Sequence, residues 1–230
     1  DSVISIGSDD IHLSKFTING KLKWVKRYGS FSTDQVSSIT TDNNGEVIIT
    51  GSFFGGTNLD GINEINGKGG NDAFTAKFDS SGTYLWSSTL GEDWQDQGTA
   101  VDTDSEGNIY TTGYYNRNAI YSDKDTTTSL VGIYQYDTYI QKQSPNGKLI
   151  WIKGFGGVKN DLAGDITVDS YGNSYTTGQF INKVDFDGGE KTYYLRAKNY
   201  WDNFLIKLDS EGELSWVNQV SSSSGNTKGW

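Results

Sequence analysis

The chain has 230 residues, with 29 glycines, one histidine and no cysteine, and its formal net charge is −10 at pH 7. Without cysteine it has no disulfide, thiol nucleophile or thiolate metal site, and one histidine argues against a histidine-rich zinc site. The acidic charge disfavours nucleic acid and anionic membranes as partners. Because no apolar run approaches the ~20 residues of a membrane-spanning helix, no membrane insertion is expected.

A first motif occurs four times and predicts a hairpin in each copy. Aspartate is followed by lysine five residues later, glycine five residues after that, and tryptophan four residues further on. The turn glycine and the flanking β-branched and aromatic residues are typical of tight antiparallel hairpins. We expect the tryptophans to pack between consecutive copies. These tryptophans are Trp24, Trp86, Trp151 and Trp216.

A second motif lies between these copies, occurs three times and predicts a second hairpin. Its copies begin at Asp34, Asp96 and Asp161, each ten residues after a repeat tryptophan. An aspartate at the same place in every copy is too regular for a single active site. We expect these side chains to cap turns or to accept backbone N–H bonds.

The two motifs divide the single segment 1–230 into units. Two hairpins in one period give four antiparallel strands, which is typical of a β-propeller blade. The predicted fold is therefore all-β: a β-propeller segment of four-stranded antiparallel blades, with roughly three and a half blades present. In chain order the units are an outer hairpin at 10–27, repeats at 34–89, 96–154 and 161–219, and the start of a further blade at 220–230.

The predicted blade count leaves open strand edges. Propellers close with about four to eight blades. We therefore expect either further repeats in a longer protein, assembly of several copies through the open edges, or an irregular four-bladed closure.

The repeats also resemble a known family. The stretches DAFTAKFDSSGTYLW (72–86) and GTAVDTDSEGNIYTTGYY (98–115) are similar to the bacterial SBBP repeat, named for a seven-bladed β-propeller. The resemblance implies a secreted bacterial protein, extracellular or at the cell surface. It implies no shared catalytic residues.

Candidate binding residues lie in the long inserts between hairpins, at 54–71, 116–136 and 181–201. These inserts differ while the hairpins repeat, as expected where a rigid scaffold carries binding loops. The third insert holds an aromatic cluster that could stack on sugars or anchor a protein partner. This predicted aromatic patch comprises Tyr193, Tyr194, Tyr200 and Trp201.

One hairpin turn partly resembles a calcium-binding loop. Asp102, Asp104 and Glu106 alternate before Gly107, as carboxylates do in such loops. The other copies lack the full carboxylate set, and no bidentate glutamate follows at the required distance. Calcium is therefore a weak prediction, and no other cofactor is expected.

The sequence favours a non-catalytic extracellular or cell-surface scaffold, or a binding module that uses the long inserts. Its expected partners are proteins or glycans at the cell surface. One alternative is a carbohydrate-binding or carbohydrate-active propeller, whose catalysis would need a carboxylate pair as in glycosidases. Another is a structural subunit of a surface filament, with self-association through open blade edges. No residue is predicted to be catalytic.

Overall fold

The computed structural model describes residues 3–61, 65–189 and 191–221, and every helix or strand assigned in these ranges is a β-strand. Neighbouring strands within each sheet pair antiparallel, so the all-β antiparallel prediction is confirmed. No helix in the described ranges is long and apolar enough to cross a membrane. Most of the predicted further blade at 220–230 lies outside the described residues.

Sixteen strands follow one another in the described residues. They are β1 (Ile11–Phe16), β2 (Leu22–Tyr28), β3 (Asp34–Thr41), β4 (Val47–Thr57), β5 (Ile65–Phe78), β6 (Tyr84–Gly91), β7 (Gln97–Thr103), β8 (Ile109–Ser122), β9 (Thr127–Gln143), β10 (Leu149–Gly157), β11 (Asp161–Val168), β12 (Ser174–Phe180), β13 (Lys183–Asp185), β14 (Tyr194–Arg196), β15 (Asp202–Leu208) and β16 (Leu214–Val220).

The strands form a two-stranded, a ten-stranded and a four-stranded sheet. β6 pairs with β8 in the ten-stranded sheet, and dividing that sheet at this pairing gives one hairpin and three four-stranded units. The hairpin is β1–β2, the first unit β3–β6, the second unit β7–β10, and the third unit β11, β12, β15 and β16. The first strands of the three units, β3, β7 and β11, lie next to one another in chain order. The number of blades and the domain boundaries stay predictions.

Two of the predicted inserts are extensions of strands rather than loops. Residues 116–136 lie mainly in β8 and β9, which pair along their length except at Arg117 of β8 and the opposing residues 132–135 of β9. The first insert likewise prolongs β4 and β5. The many Thr, Ser, Tyr and Ile residues of 116–136 favour strand continuation. The third insert contains the short β13–β14 hairpin, which adds to β10.

The hydrophobic core lies between consecutive units. One cluster joins Tyr110 and Ile140 of the second unit to Phe180 and Phe204 of the third. A second cluster joins the β1–β2 hairpin to the first unit, and a third places Ile48 of the first unit against the second. Each unit therefore buries its apolar face on its neighbour rather than on itself.

The repeat tryptophans contribute to these junctions. A Cβ atom on Gly147 would lie 2.5 Å from the Trp86 ring, and one on Gly212 would lie 2.7 Å from the Trp151 ring. Trp86 Nε1 also donates to the carbonyl oxygen of Pro145 at 3.0 Å. Each of these rings thus covers the turn of the following unit, and a side chain larger than glycine would collide with it.

Candidate functional site

A cleft of about 560 Å³ opens where the first strands of the three units meet. The residues around it come from all three units and are mostly small or polar. They are Ser37, Ser38, Thr99, Ala100, Tyr114, Leu162, Ala163, Gly164, Asp165, Gly178 and Gln179. Because three successive repeats contribute, the cleft is a product of the repeat arrangement and not of one loop.

A β-bulge at the same place in each first strand shapes the cleft. The register shifts between Val36 and Ser38 in β3, and the skipped residue is Ser37. Thr99 and Gly164 are skipped in the same way in β7 and β11. A bulge leaves its extra residue outside the ladder and bends the strand. All three bulged residues line the cleft.

The sequence carries a signal for these bulges in addition to the two motifs. Ser37, Thr99 and Gly164 each stand three residues after the aspartate of the second motif. All three are small, although their neighbours vary. A short side chain at this fixed offset leaves the cleft open at each bulge.

Hydrogen bonds between units fix the floor of the cleft. Gln97 Nε2 of the second unit donates to Ser37 Oγ of the first at 2.6 Å. Val101 N donates to Ser38 Oγ at 3.3 Å. These bonds use side chains of β3 to hold β7, so the lining is positioned by the scaffold.

The lining combines one carboxylate with one half-buried tyrosine. Asp165 is exposed, and its Oδ1 accepts a hydrogen bond from Ile166 N at 2.9 Å. The Tyr114 ring lies 5.1 Å from that of Tyr136 in an edge-to-face contact. Burial raises the pKa of Tyr114, with a smaller effect of Tyr136. The cleft lining includes no histidine, lysine or arginine.

The predicted aromatic patch is exposed but consists of two separate contacts. The relative exposures of Tyr193, Tyr194 and Tyr200 are 48%, 52% and 68%. Lys183 Nζ lies 3.3 Å from the Tyr194 ring centroid. The Tyr200 and Trp201 rings meet edge to face at 6.0 Å. None of these residues lines the cleft.

The predicted calcium residues have separate structural roles. Asp102 Oδ2 accepts from Val168 N of the third unit at 2.9 Å. Asp104 Oδ1 accepts from the backbone N–H groups of Glu106 and Asn108 at 3.0 and 2.9 Å, and so closes its own turn. In the described part of the chain, no group of three or more His, Cys, Asp or Glu could hold a metal ion. Calcium binding stays a prediction.

The aspartates of the second motif each accept a backbone N–H from the residue four positions earlier. The donors are Ser30 for Asp34, Glu92 for Asp96 and Gly157 for Asp161. The aspartates of the first motif make the same contact. These aspartates are Asp10, Asp72, Asp137 and Asp202.

At both junctions between four-stranded units, an aspartate of each motif forms a buried pair. Asp72 Oδ1 and Asp96 Oδ2 lie 1.8 and 2.9 Å from the point where a Cβ on Gly91 would stand. At the next junction Asp137 Oδ1 lies 2.0 Å from the point where a Cβ on Gly156 would stand, and the charge of Asp137 acts on the Asp161 carboxyl. Asp72 Oδ1 and Asp137 Oδ1 are buried and have no hydrogen-bond partner. Each pair thus brings two acids together with one oxygen unsatisfied. Asp10 and Asp34 make a similar contact beside Gly29 at the hairpin junction, where Arg27 Nη1 lies 3.4 Å from Asp10 Oδ2.

Burial raises the pKa of all four paired carboxyls. For Asp72 the pKa rises to about 7, against a smaller lowering by the Lys68 N–H. Burial likewise raises the pKa of Asp96 and of Asp137 to about 7. For Asp161 burial raises the pKa to about 8, and the charge of Asp137 adds to this rise. The pKa values of these four carboxyls therefore lie well above the usual range of aspartate.

Comparison with known proteins gives limited similarity. No protein-family model matches the chain. An uncharacterized WD repeat-containing protein of Acanthamoeba polyphaga mimivirus is 24% identical over an alignment 229 residues long. The aligned region covers 84% of this chain. The match spans only 16% of the length of that relative. A solved structure of a protein of unknown function from Bacteroides caccae has a TM-score of 0.33 at 10% identity, covering 93% of this chain and 94% of its own.

Proposed function

We propose that the chain is a non-catalytic scaffold of β-propeller type that binds a protein segment in the cleft between its first strands. The observation that carries this proposal is the cleft itself, to which three successive units contribute the same bulged position. The name of the mimivirus relative supports the repeat architecture, because WD repeats build four-stranded propeller blades.

The lining favours binding over catalysis. Its only carboxylate is Asp165, whereas glycoside hydrolysis uses two carboxyl groups about 5 to 10 Å apart. It also holds no histidine or lysine to act as a general base. Small polar residues, apolar Leu162 and bulged backbone suit an extended peptide, which uses both backbone hydrogen bonds and side-chain pockets.

Two further elements of the proposal rest on other observations. The resemblance of the repeats to SBBP sequences supports an extracellular or cell-surface location. The exposed tyrosines Tyr193, Tyr194 and Tyr200 support glycan binding as a second candidate function, because exposed aromatic rings stack on sugars.

The test uses the labelled 230-residue chain on two arrays, one of random unstructured peptides and one of glycans. The cleft is blocked by Gly164→Tyr, at a position where a new Cβ would meet only Thr177 O at 3.7 Å. The matched variant is Tyr193→Ala with Tyr194→Ala, which leaves the cleft unchanged. We expect peptide binding that Gly164→Tyr abolishes and the tyrosine variant retains.

The opposite pattern would overturn the proposal in favour of the second candidate. That pattern is glycan binding that the tyrosine variant loses and Gly164→Tyr retains. Circular dichroism of each variant shows that a loss of binding reflects a changed surface and not a lost fold.

A further inference from the structure

The internal junctions share one contact, which occurs three times. A tryptophan of one unit covers a turn glycine of the next, with ring atoms 2.5 to 3.0 Å from the position that a Cβ would take. The three pairs are Trp24 on Gly82, Trp86 on Gly147 and Trp151 on Gly212.

At two of these junctions the turn also accepts two hydrogen bonds at its second residue, and at the Trp24–Gly82 junction Ser80 O accepts from Lys15 Nζ at 2.8 Å. Pro145 O accepts from Trp86 Nε1 at 3.0 Å and from Lys77 Nζ at 3.3 Å. Ser210 O accepts from Trp151 Nε1 at 3.1 Å and from Lys142 Nζ at 3.2 Å. At these two junctions the repeat lysine and the repeat tryptophan therefore both donate to the same turn carbonyl.

One half of this contact is left open in the third unit. Its tryptophan, Trp216, is 37% exposed, and its lysine, Lys207, lies with Nζ 5.1 Å from the Tyr175 ring centroid. No hydrogen bond joins Trp216 Nε1 or Lys207 Nζ to a described acceptor. We name Trp216 and Lys207 the tail face.

The complementary half is left open in the β1–β2 hairpin. Its turn, Thr17–Gly20, closes as the covered turns do, with Gly20 N donating to Thr17 O at 2.9 Å. A Cβ on Gly20 would meet no atom within 4 Å, and Ile18 at the second turn position is fully exposed. We name Thr17–Gly20 the head turn.

We propose that the chain associates head to tail, with the tail face of one copy binding the head turn of a second copy. Trp216 covers Gly20, and both Trp216 Nε1 and Lys207 Nζ donate to the carbonyl oxygen of Ile18. The interface continues the row of internal junctions, because the two open halves carry the residues that meet three times within the chain. Such a heterologous contact builds rings or open filaments, depending on the rotation between copies.

Sedimentation velocity of the 230-residue chain over a range of concentrations tests this proposal. We expect larger species as the concentration rises. Trp216→Ala removes the tail face, and Ile18→Lys places a positive charge opposite Lys207. Each variant should weaken association by about tenfold or more, as for residues that dominate an interface. The control Trp94→Ala removes an exposed tryptophan outside the repeat and should leave association unchanged.

A mixture of the two variants makes the test directional. Ile18→Lys keeps its tail face and Trp216→Ala keeps its head turn, so the mixture should form dimers that grow no further. A monomer at every concentration would overturn the proposal, and so would association that Trp216→Ala leaves unchanged. Neither result depends on whether a peptide occupies the cleft.

Discussion

Trp151 and Trp216 occupy the same repeat position but have different surroundings. Trp151 covers the turn at Gly212 and donates to Ser210 O at 3.1 Å. In the part of the chain that the structure describes, no such turn covers Trp216, which is 37% exposed. The repeat thus determines which residue stands at the junction, whereas the neighbouring unit determines whether a turn covers that residue.

The aspartates of the first motif also differ between units, in this case in their pKa. Asp137 faces a second carboxyl, Asp161, and burial raises its pKa to about 7. Asp202 stands at the same repeat position, and Gln219 Nε2 and Ser221 Oγ donate to its Oδ2 at 2.6 and 2.7 Å. Burial raises its pKa, but these bonds and the Lys198 N–H outweigh burial and leave the pKa below its usual value. One sequence position therefore has a raised carboxyl pKa in one unit and a lowered one in another.

The tryptophan comparison predicts the largest effect. Trp86→Ala should lower the free energy of unfolding by about 3 kcal/mol, because it opens a cavity at a junction and removes the bond to Pro145 O. Trp216→Ala should cost less than about 1 kcal/mol, since no described turn covers its ring and no described acceptor bonds its Nε1. Urea denaturation at a concentration too low for self-association measures both. Equal losses would show that the two environments do not differ as described.

The turn glycines predict an intermediate effect. Gly147 and Gly20 have similar φ angles of 82° and 74°. Alanine therefore pays the same backbone strain at either site, of roughly 1 kcal/mol. Only Gly147→Ala also drives a methyl group into the Trp86 ring, at 2.5 Å. We expect Gly147→Ala to lower the free energy of unfolding by roughly 2 kcal/mol more than Gly20→Ala does. Thermal unfolding of the two variants measures this difference. An equal loss would mean that the ring moves aside freely.

The sequence predicted the local fold well because its signals are local. Turn glycines and alternating strand residues define each hairpin without reference to the rest of the molecule. The insert at 116–136 was less predictable, because a hairpin interrupted by a bulge at Arg117 has no regular alternation. The arrangement of the units relative to one another depends on contacts between residues far apart in sequence.

The candidate site was less predictable than the fold. The aromatic patch was predicted because its residues are unusual in the sequence, whereas the cleft is lined by ordinary small residues such as Ser37 and Gly164. The pairing of Asp72 with Asp96 was also hidden, because the two belong to different motifs. Asp96 was predicted to cap a turn or to accept backbone N–H bonds, and both aspartates do accept such bonds. Their mutual contact required the three-dimensional arrangement.

The paired aspartates predict a smaller effect that depends on pH. In the folded chain the pKa of Asp72 and of Asp96 is about 7, well above the unfolded value near 4. The stability due to such groups is complete below about pH 4 and is lost as the pH rises to about 7. Each bound proton contributes a slope of at most about 1.4 kcal/mol per pH unit. The free energy of unfolding should therefore fall between pH 5 and pH 7.

Asp72→Asn separates this effect from ordinary loss of a contact. The amide can still accept from Lys68 N through its oxygen, while its NH₂ group replaces the proton facing Asp96. It should flatten the fall between pH 5 and pH 7, and leave the variant about 1 kcal/mol more stable than the parent at pH 8. Asp202→Asn is the matched control: it removes a carboxylate whose pKa is lowered, so it should destabilise the chain without changing that slope. Parallel pH profiles for the parent and Asp72→Asn would show that the pair carries no proton near neutral pH, because a shared proton is the only source of the predicted difference.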